Sequence, residues 1–262
     1  MKGFSYGPFA PNSTGEPLPE RAKLRADLAT MQSLGGNTLR LYSEPSLQVL
    51  DDLLEFGVHA IVDIPWEKHR CFFEDWSARE AARESVARAA TSIGEHPALL
   101  AISVVNEIPN DVVRFYGHVR IERFLAELSD SVKQLAPDCL TTFANYPTTE
   151  FLQPEVFDFC CFNVYLHDAD RLGAYLDRLQ HIAGNLPLVL SEFGLDSIRE
   201  GERVQAELLA AHIRTVFEHG VAGSVIFSFT DEWFTGGRLL DQWGFGVTRA
   251  DRSFKLSADA VR

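Results

Sequence analysis

Two glutamates each end a short apolar run, a position at which a carboxylate can do chemistry. Glu107 closes LLAISVVNE, which begins at Leu99, and Glu192 closes LVLSE, which begins at Leu188. Such apolar runs are typical of strands that are buried on both faces of a parallel sheet. Two carboxylates that lie close together titrate apart, because the like charges raise the pKa of one of them. One can then attack as an anion while the other donates a proton, which is the pairing that retaining glycoside hydrolysis needs.

Other polar residues stand near the ends of neighbouring apolar runs. They are Arg40, Asp63, Asn106, Asn145, Asn163 and Tyr165. In a parallel barrel these side chains converge at the carboxyl ends of the strands, where such folds carry out their chemistry. We expect Asn145, Asn163 and Asp63 to contact a substrate there, although a purely structural Asp63 fits the sequence equally well. Asp231 and Glu232 either bind a sugar hydroxyl or cap the turn that follows them.

The elements that position these residues alternate regularly along the chain. Runs of alternating strand and helix patterns indicate parallel βαβ units. The amphipathic helical patterns include one continuous pattern over residues 112–137. The predicted strands are Gly3–Gly7, Thr38–Tyr42, His59–Ile64, Leu99–Glu107, Leu140–Asn145, Phe157–Tyr165, Leu188–Phe193 and Gly223–Phe229.

Eight such units can form either an open doubly wound sheet or a closed barrel. An open sheet usually carries a glycine-rich phosphate-binding turn, and neither G-x-G-x-x-G nor a Walker pattern follows any predicted strand. Eight units in 262 residues match the size of a barrel, and no linker or low-complexity tract divides the chain. The sequence therefore predicts an α/β fold: a single (β/α)8 TIM barrel over residues 1–262, without accessory domains.

Glycines and cysteines add two local predictions. Glycines follow several helical patterns, as expected for left-handed C-caps. They are Gly35, Gly57, Gly94, Gly184 and Gly220. The four cysteines form no C-x-x-C pair, and Cys160 and Cys161 adjoin in an apolar run. This arrangement favours reduced thiols in the core of a protein from a reducing compartment.

Charge and composition limit the classes of partner. The net charge of −13 argues against nucleic acid, which requires a basic face. No apolar stretch is long enough to span a bilayer, and the first residues lack the apolar region of a secretory signal. The eight histidines show no metal-ligand spacing, so we expect neither a metal nor a cofactor. A cytoplasmic location is the expectation, with the alternative that the chain is one domain of a larger carbohydrate-active protein.

The two glutamate motifs, taken together, resemble clan A of the glycoside hydrolases, which includes families 2, 5 and 17. SVVNEIP and LVLSEFG are similar to that clan's motifs at the ends of strands four and seven. Within the clan, the motifs resemble those of the family 2 catalytic barrel most. The resemblance runs from KGFSYGPF to DQWGFGVT, which is nearly the whole chain. It implies a retaining β-glycosidase whose two carboxylates lie about 5–5.5 Å apart.

The same resemblance implies particular roles for five residues. Glu107 would be the general acid/base and Glu192 the nucleophile. Asn106 would hydrogen-bond the sugar 2-hydroxyl, an interaction that strengthens in the transition state. Tyr165 would donate a hydrogen bond to Glu192, and Arg40 would support the same carboxylate from strand two.

The chain departs from the clan pattern on strand eight. The clan usually places a tryptophan under the reacting sugar there, whereas this sequence has Phe227 and Phe229 before Trp233. We expect Trp66 and Trp233, which lie nearest the strand ends, to stack against sugar faces. The β-sandwich domains that accompany the family 2 barrel are absent from this sequence.

These observations predict a retaining glycosidase that cleaves β-linked, neutral sugars of the glucan type by double displacement. Two alternatives remain open. A transglycosylase would use the same residues but pass the sugar to another sugar. A catalytically silent sugar-binding barrel would account for the missing tryptophan but not for the pair of glutamates.

Overall fold

Eight parallel strands close into a barrel in the computed structural model, which describes residues 1–152 and 155–262. The first strand pairs with both the second and the eighth, and this pairing closes the ring. The predicted single barrel is thus confirmed. The strands are β1 (Lys2–Ser5), β2 (Thr38–Leu41), β3 (His59–Asp63), β4 (Leu99–Asn106), β5 (Leu140–Asn145), β6 (Cys160–Asn163), β7 (Leu188–Phe193) and β8 (Gly223–Ile226).

Helices surround the barrel and connect successive strands. They are α1 (Arg21–Ser33), α2 (Leu47–Glu55), α3 (Trp76–Ile93), α4 (Asn110–Tyr116), α5 (His118–Leu135), α6 (Ala169–Ala183), α7 (Ser197–Glu200), α8 (Glu202–Glu218) and α9 (Leu256–Val261). A 3-10 turn, Pro147–Thr149, follows β5, and a short hairpin of β9 (Phe234–Thr235) and β10 (Arg238–Leu239) follows β8. The sequence pattern did not predict this hairpin.

Local sequence explains the helix that follows the third strand. The Asp75 carboxylate accepts a hydrogen bond from the Ala78 N–H at 3.1 Å and caps the start of α3. Ala82, Val86 and Ala89 recur at the helical period and are buried against the barrel. None of the helices within the described ranges is long and apolar enough to cross a membrane.

The inner layer of the barrel is small and apolar. Ile61, Ala101 and Val189 belong to a buried cluster that joins residues of β3 to β7. Arg40 is the register partner of Ile61 across the β2–β3 ladder, so its side chain lies on the same inner face. The barrel interior therefore places one cation beneath the carboxyl ends of the strands.

The predicted elements differ from the structure at specific places. The continuous helix expected over residues 112–137 is two helices, because Gly117 has a φ of +79°. The prediction of a left-handed cap at Gly94 is wrong, since its φ is −58°. Glycine is required at this position because a Cβ would lie 2.2 Å from the Ala90 carbonyl oxygen. The other four predicted cap glycines do have positive φ.

Burial separates the cysteines into two groups. Cys139, Cys160 and Cys161 are buried and reduced, as predicted, and Cys71 is exposed. Burial raises the pKa of Cys160 to about 12 and that of Cys161 to about 11. Both thiols therefore remain protonated at neutral pH and act as small apolar core groups.

Candidate active site

Glu192 lies at the carboxyl end of β7 and accepts three hydrogen bonds from neighbouring side chains. Arg40 Nη1 is 2.8 Å and the Tyr42 hydroxyl 2.9 Å from its Oε1. The Tyr165 hydroxyl is 2.9 Å from its Oε2. The residue is only 7% exposed. The contacts that the sequence predicted from Arg40 and Tyr165 are both present, and Tyr42 adds a third donor.

The charge state of Glu192 depends on these donors. The pKa of its carboxyl group lies above its usual value, because burial raises it by more than the guanidinium of Arg40 lowers it. The nearby Glu107 carboxylate raises the pKa further, while the Tyr165 and Tyr42 hydroxyls lower it. A buried carboxylate without such partners would take up a proton rather than stay charged.

Arg40 holds the centre of the site together. Its Nε donates to Asp63 Oδ2 at 2.6 Å, and its Nη2 donates to Asn106 Oδ1 at 2.9 Å. The neighbouring carboxylates, Asp63 foremost, raise the pKa of Arg40 even though burial opposes its charge. The guanidinium therefore stays charged and fixes groups from several strands in one arrangement.

Asn163 connects Glu107 to the Arg40 guanidinium, which in turn contacts Glu192. Its Nδ2 donates to Glu107 Oε1 at 2.7 Å, and its Oδ1 accepts from Arg40 Nη1 at 3.0 Å. It also bonds Asn106 Oδ1 and the Ser191 hydroxyl, and it is 1% exposed. The expected substrate contact is thus corrected: the amide is fully used within the protein and positions Glu107.

Asn106 keeps one side of its amide free. Its Oδ1 accepts from both Arg40 and Asn163, whereas its Nδ2 has no protein partner in the described part of the chain. The residue is only partly buried, so this nitrogen can face a ligand. The geometry fits the predicted donor to a sugar hydroxyl.

Glu107 has an unusual backbone. Its φ is +47°, in the left-handed region that is disfavoured for residues other than glycine. Its N–H nevertheless donates to the Ala144 carbonyl of β5 at 2.9 Å, just past a register shift between Ser103 and Asn106. Oε2 accepts no hydrogen bond and no cation pairs with the side chain among the described residues, so one carboxyl oxygen has no partner there.

Asp63 lies behind Arg40 rather than in contact with a ligand. It is 2% exposed and pairs with the guanidinium through Oδ2, while its Oδ1 is buried without a partner in residues 1–152 and 155–262. Of the two roles that the sequence left open, the structure supports the structural one. Asp63 supplies the counter-charge that keeps a cation inside the barrel.

Two other residues expected to contact a substrate, Asn145 and Trp66, have hydrogen-bond partners within the protein. The Asn145 amide, which is buried, bonds Thr149 and the Tyr146 N–H, and so it fixes the turn after β5. The Trp66 indole N–H donates to the Val104 carbonyl at 2.9 Å, and its ring packs edge-on against Phe72. Asn145 therefore supports the turn rather than a substrate, whereas Trp66 is only partly buried and its stacking on a sugar stays a prediction.

Aromatic rings form a wall beside Glu192, which we call the aromatic wall. It comprises Tyr42, Trp233, Phe227, Trp243, Phe245 and Tyr165, with neighbouring ring centroids 4.8–6.3 Å apart. Trp233 is nearly buried and packs against Phe227, which directly follows β8. Trp243 is 39% exposed and offers an accessible ring face. Trp233 therefore backs the wall, and Trp243 is better placed to stack on a sugar.

Asp231 and Glu232 tie down the loop after β8. Asp231 Oδ1 accepts from Lys255 Nζ at 2.7 Å and from the Gly246 N–H at 2.8 Å. Glu232 pairs with Lys23 and Arg252. Both carboxylates hold the loop that carries the wall.

Sequence reasoning missed Tyr42 and Lys68. Tyr42 follows Arg40 by two residues, and the alternation of a strand would have placed both side chains on one face. Lys68 lies half-buried in the loop after β3; burial lowers its pKa, and the carboxylates of Asp63 and Glu107 oppose that shift. No local pattern marked Lys68, because its surroundings come from distant strands.

Within the described residues no cluster of three histidine, cysteine or acidic side chains could hold a metal ion. The fold and its mouth thus define a (β/α)8 barrel with a carboxylate pair at the ends of strands four and seven.

Comparisons with known proteins agree with this fold. No family model matches the chain, and a search of curated protein sequences finds no match either. Among solved structures, a Ruminococcus gnavus β-glucuronidase in complex with D-glucuronic acid is similar, with a TM-score of 0.84 at 18% identity. A Bifidobacterium dentium β-glucuronidase complexed with coumarin-3-O-glucuronide has a TM-score of 0.82 at 17% identity.

The chain is covered completely in both comparisons but spans only about half of each neighbour. The aligned part is 48% of the Ruminococcus chain and 45% of the Bifidobacterium chain. At this level of identity the likeness establishes the barrel fold, and the site must be argued from its own residues.

Proposed function

We propose that the protein is a retaining β-glycosidase with Glu192 as nucleophile and Glu107 as general acid/base. The observation that carries the proposal is the difference between the two carboxyl groups. Glu192 is paired with a guanidinium and two hydroxyls, whereas Glu107 accepts a hydrogen bond from a neutral amide. The first environment favours an anion that can attack, and the second leaves an oxygen available to hold a proton for the leaving group.

The reaction follows from these positions. A Glu192 oxygen forms a bond to the anomeric carbon while the bond to the leaving oxygen breaks, and Glu107 protonates that oxygen. Glu107, now ionised, removes a proton from water, which attacks the same carbon and releases Glu192. Asn106 Nδ2 would bind the sugar 2-hydroxyl, and the exposed Trp243 ring would stack on an apolar sugar face.

A panel of aryl glycosides tests which class of sugar the protein cleaves. The comparisons give no support to a β-glucan substrate, and the neighbours are β-glucuronidases. Aryl β-glucuronides therefore belong in the panel beside aryl β-glucosides, β-galactosides and β-mannosides. Release of the aryl group from at least one of them is the expected result.

Chemical rescue with azide separates the two glutamates. Glu192→Ala removes the nucleophile, so the rate should fall by several orders of magnitude, and azide should restore it by a single displacement. The product would be a glycosyl azide of inverted configuration. Glu107→Ala keeps the nucleophile, so an activated aryl glycoside should still form the glycosyl-enzyme, which azide would convert to a product of retained configuration.

The matched control is Glu55→Ala, which removes an exposed glutamate on α2 that pairs with Arg25. It should leave rate and product unchanged. Azide products of the same configuration from both site variants would refute the assigned roles. Wild-type activity that survives both substitutions would refute the proposed function.

A further inference from the structure

The two oxygens of Glu192 have unequal surroundings. Oε1 accepts from the Arg40 guanidinium at 2.8 Å and from the Tyr42 hydroxyl at 2.9 Å. Oε2 accepts only from the Tyr165 hydroxyl, also at 2.9 Å, within the described residues. An oxygen with two donors, one of them charged, is less nucleophilic than an oxygen with one neutral donor.

Tyr42 is held on several sides. Its hydroxyl lies 2.9 Å from the Ser5 Oγ at the end of β1, and its ring packs edge-on against Trp233 at 5.4 Å between centroids. The guanidinium carbon of Arg40 is 5.0 Å from the centre of the same ring. Burial and the adjacent Glu192 carboxylate raise the pKa of Tyr42 well above its usual value, so the hydroxyl keeps its proton.

The hydroxyl has one proton and two neighbours. Because Glu192 can only accept when ionised, the Tyr42 proton goes to Oε1, and the Ser5 hydroxyl is then free to donate to the Tyr42 oxygen. Ser5, Tyr42 and Glu192 thus form a directed chain of hydrogen bonds, in which each bond strengthens the next.

We propose that Tyr42 is a positioning residue that anchors Oε1 of Glu192 and so assigns the attack to Oε2. This inference rests on the proposed glycosidase function. In the first step an Oε2 lone pair bonds the anomeric carbon, and the electrons of the broken bond go to the leaving oxygen, which takes the Glu107 proton. Oε1 becomes the carbonyl oxygen of the glycosyl ester and keeps its contacts with Arg40 and Tyr42.

The two chemical steps need Tyr42 to different extents. In the second step the Glu192 carboxylate is the leaving group, and negative charge returns to Oε1 as the ester breaks. The Tyr42 hydrogen bond stabilises that charge, so its loss slows deglycosylation. In the first step the same bond stabilises the free carboxylate before attack, so its loss makes the ionised nucleophile no weaker.

Tyr42→Phe tests the proposal with an activated aryl β-glycoside that the wild type cleaves. A hydrogen bond to a charged group is worth roughly a tenfold to hundredfold change in rate, so kcat should fall by about that factor. KM should fall with it, because the glycosyl-enzyme accumulates, and the pre-steady-state burst should grow. The acid limb of kcat/KM should move to higher pH, since the pKa of Glu192 loses one of the hydrogen bonds that lower it.

Tyr6→Phe is the matched control. Tyr6 is a buried tyrosine whose hydroxyl donates to Asp27 at 2.7 Å, away from Glu192. This variant should keep the burst and the acid limb of the wild type. If Tyr42→Phe proves unstable, Ser5→Ala tests the same chain and should shift the acid limb in the same direction by a smaller amount.

A separate measurement distinguishes failure of this inference from failure of the proposed function. Carbon-13 NMR of the labelled Glu192 carboxyl group reports its titration without any substrate, and its midpoint should rise in Tyr42→Phe. An unchanged midpoint together with wild-type burst kinetics would overturn the role of Tyr42. A risen midpoint in a protein that cleaves no β-glycoside would instead overturn the glycosidase proposal and keep the anchor.

Discussion

Glu107, the proposed general acid/base, has a disfavoured backbone conformation. A φ of +47° brings the Cβ of a non-glycine residue close to its own carbonyl group, and such conformations cost of order 1–3 kcal/mol. The hydrogen bonds from its N–H to Ala144 and from Asn163 to its carboxylate hold it there. These hydrogen bonds therefore hold the carboxylate in its orientation together with a strained backbone.

This strain makes a prediction about stability. Glu107→Gly and Glu107→Ala both remove the carboxylate, but only glycine accepts the positive φ without a steric penalty. We expect the glycine variant to be more stable than the alanine variant by about 1 kcal/mol, although glycine usually lowers stability. Denaturant unfolding of both variants measures the difference.

The same pair of substitutions at Asp111 is the control, since that residue lies in helix α4. There the alanine variant should be the more stable one. An alanine variant that equals or exceeds the glycine variant at position 107 would show that the backbone there relaxes without a penalty.

At the scale of elements, two glycines near helix ends are required for different reasons. Gly57 ends α2 with a φ of +62° and the hydrogen bonds of a left-handed cap, and a Cβ built on it would meet nothing within 4 Å. Gly94 follows α3 with an ordinary φ, but a Cβ there would lie 2.5 Å from the Ala136 Cβ and closer still to the Ala90 carbonyl. At the first glycine the positive φ disfavours other residues, whereas at Gly94 there is no room for a Cβ.

Asparagine distinguishes these two reasons, because it tolerates the left-handed region better than alanine does. At Gly57, alanine should destabilise the protein by about 1–2 kcal/mol and asparagine by less. At Gly94, asparagine should destabilise at least as much as alanine, which itself should cost about 1–3 kcal/mol through overpacking. Thermal or denaturant unfolding of the four variants gives the order, and the same order at both positions would contradict this explanation.

At the scale of the whole molecule, the barrel could be predicted because buried parallel strands are continuous apolar runs. The ends of the strands are harder to predict than the strands themselves. Tyr42, for example, continues the sequence pattern of β2 but lies past the last paired residue of that strand. The sequence predicts one helix in place of α4 and α5 for a similar reason. The amphipathic period continues across Gly117, whereas the helical backbone conformation is interrupted there.

The candidate site could be predicted only in part. Glu107 and Glu192 stand at strand ends, which sequence reveals, and so both could be named. The hydrogen-bond partners of the asparagine side chains could not be predicted from the sequence. Asn163, for example, bonds residues of β2, β4 and β7, which meet only in the folded barrel. The hydrogen bond of Trp66 could not be predicted for the same reason: its partner, the Val104 carbonyl, lies on another strand.

The outer layer holds a histidine that links the fold to pH. His212 lies on the buried face of α8, 1% exposed, with its ring 6.0 Å from that of Phe193 on β7. Burial lowers the pKa of His212 from 6.5 to about 4. Between these values the unfolded chain binds a proton that the folded protein does not, so stability falls as the pH falls through that window.

His212→Leu should remove this contribution. A shift of that size corresponds to roughly 3 kcal/mol, so the wild type should lose about that much more stability than the variant between pH 6.5 and pH 4. Urea unfolding at several pH values measures both slopes. His59→Leu, which replaces an exposed histidine, controls for the lost charge. Parallel slopes for the wild type and His212→Leu would show that the buried ring contributes nothing to acid sensitivity.

The shared guanidinium of Arg40 has a consequence for how the mouth of the barrel can evolve. Asp63, Asn106, Asn163 and Glu192 all depend on it, so a substitution at one of them changes the fitness effect of a substitution at another. Such epistasis confines descendants of this sequence to paired or compensated changes at these strand ends. The exposed Trp243 makes none of these hydrogen bonds, so under the proposed function a change of substrate preference is more accessible through the loop after β8 than through the centre of the barrel.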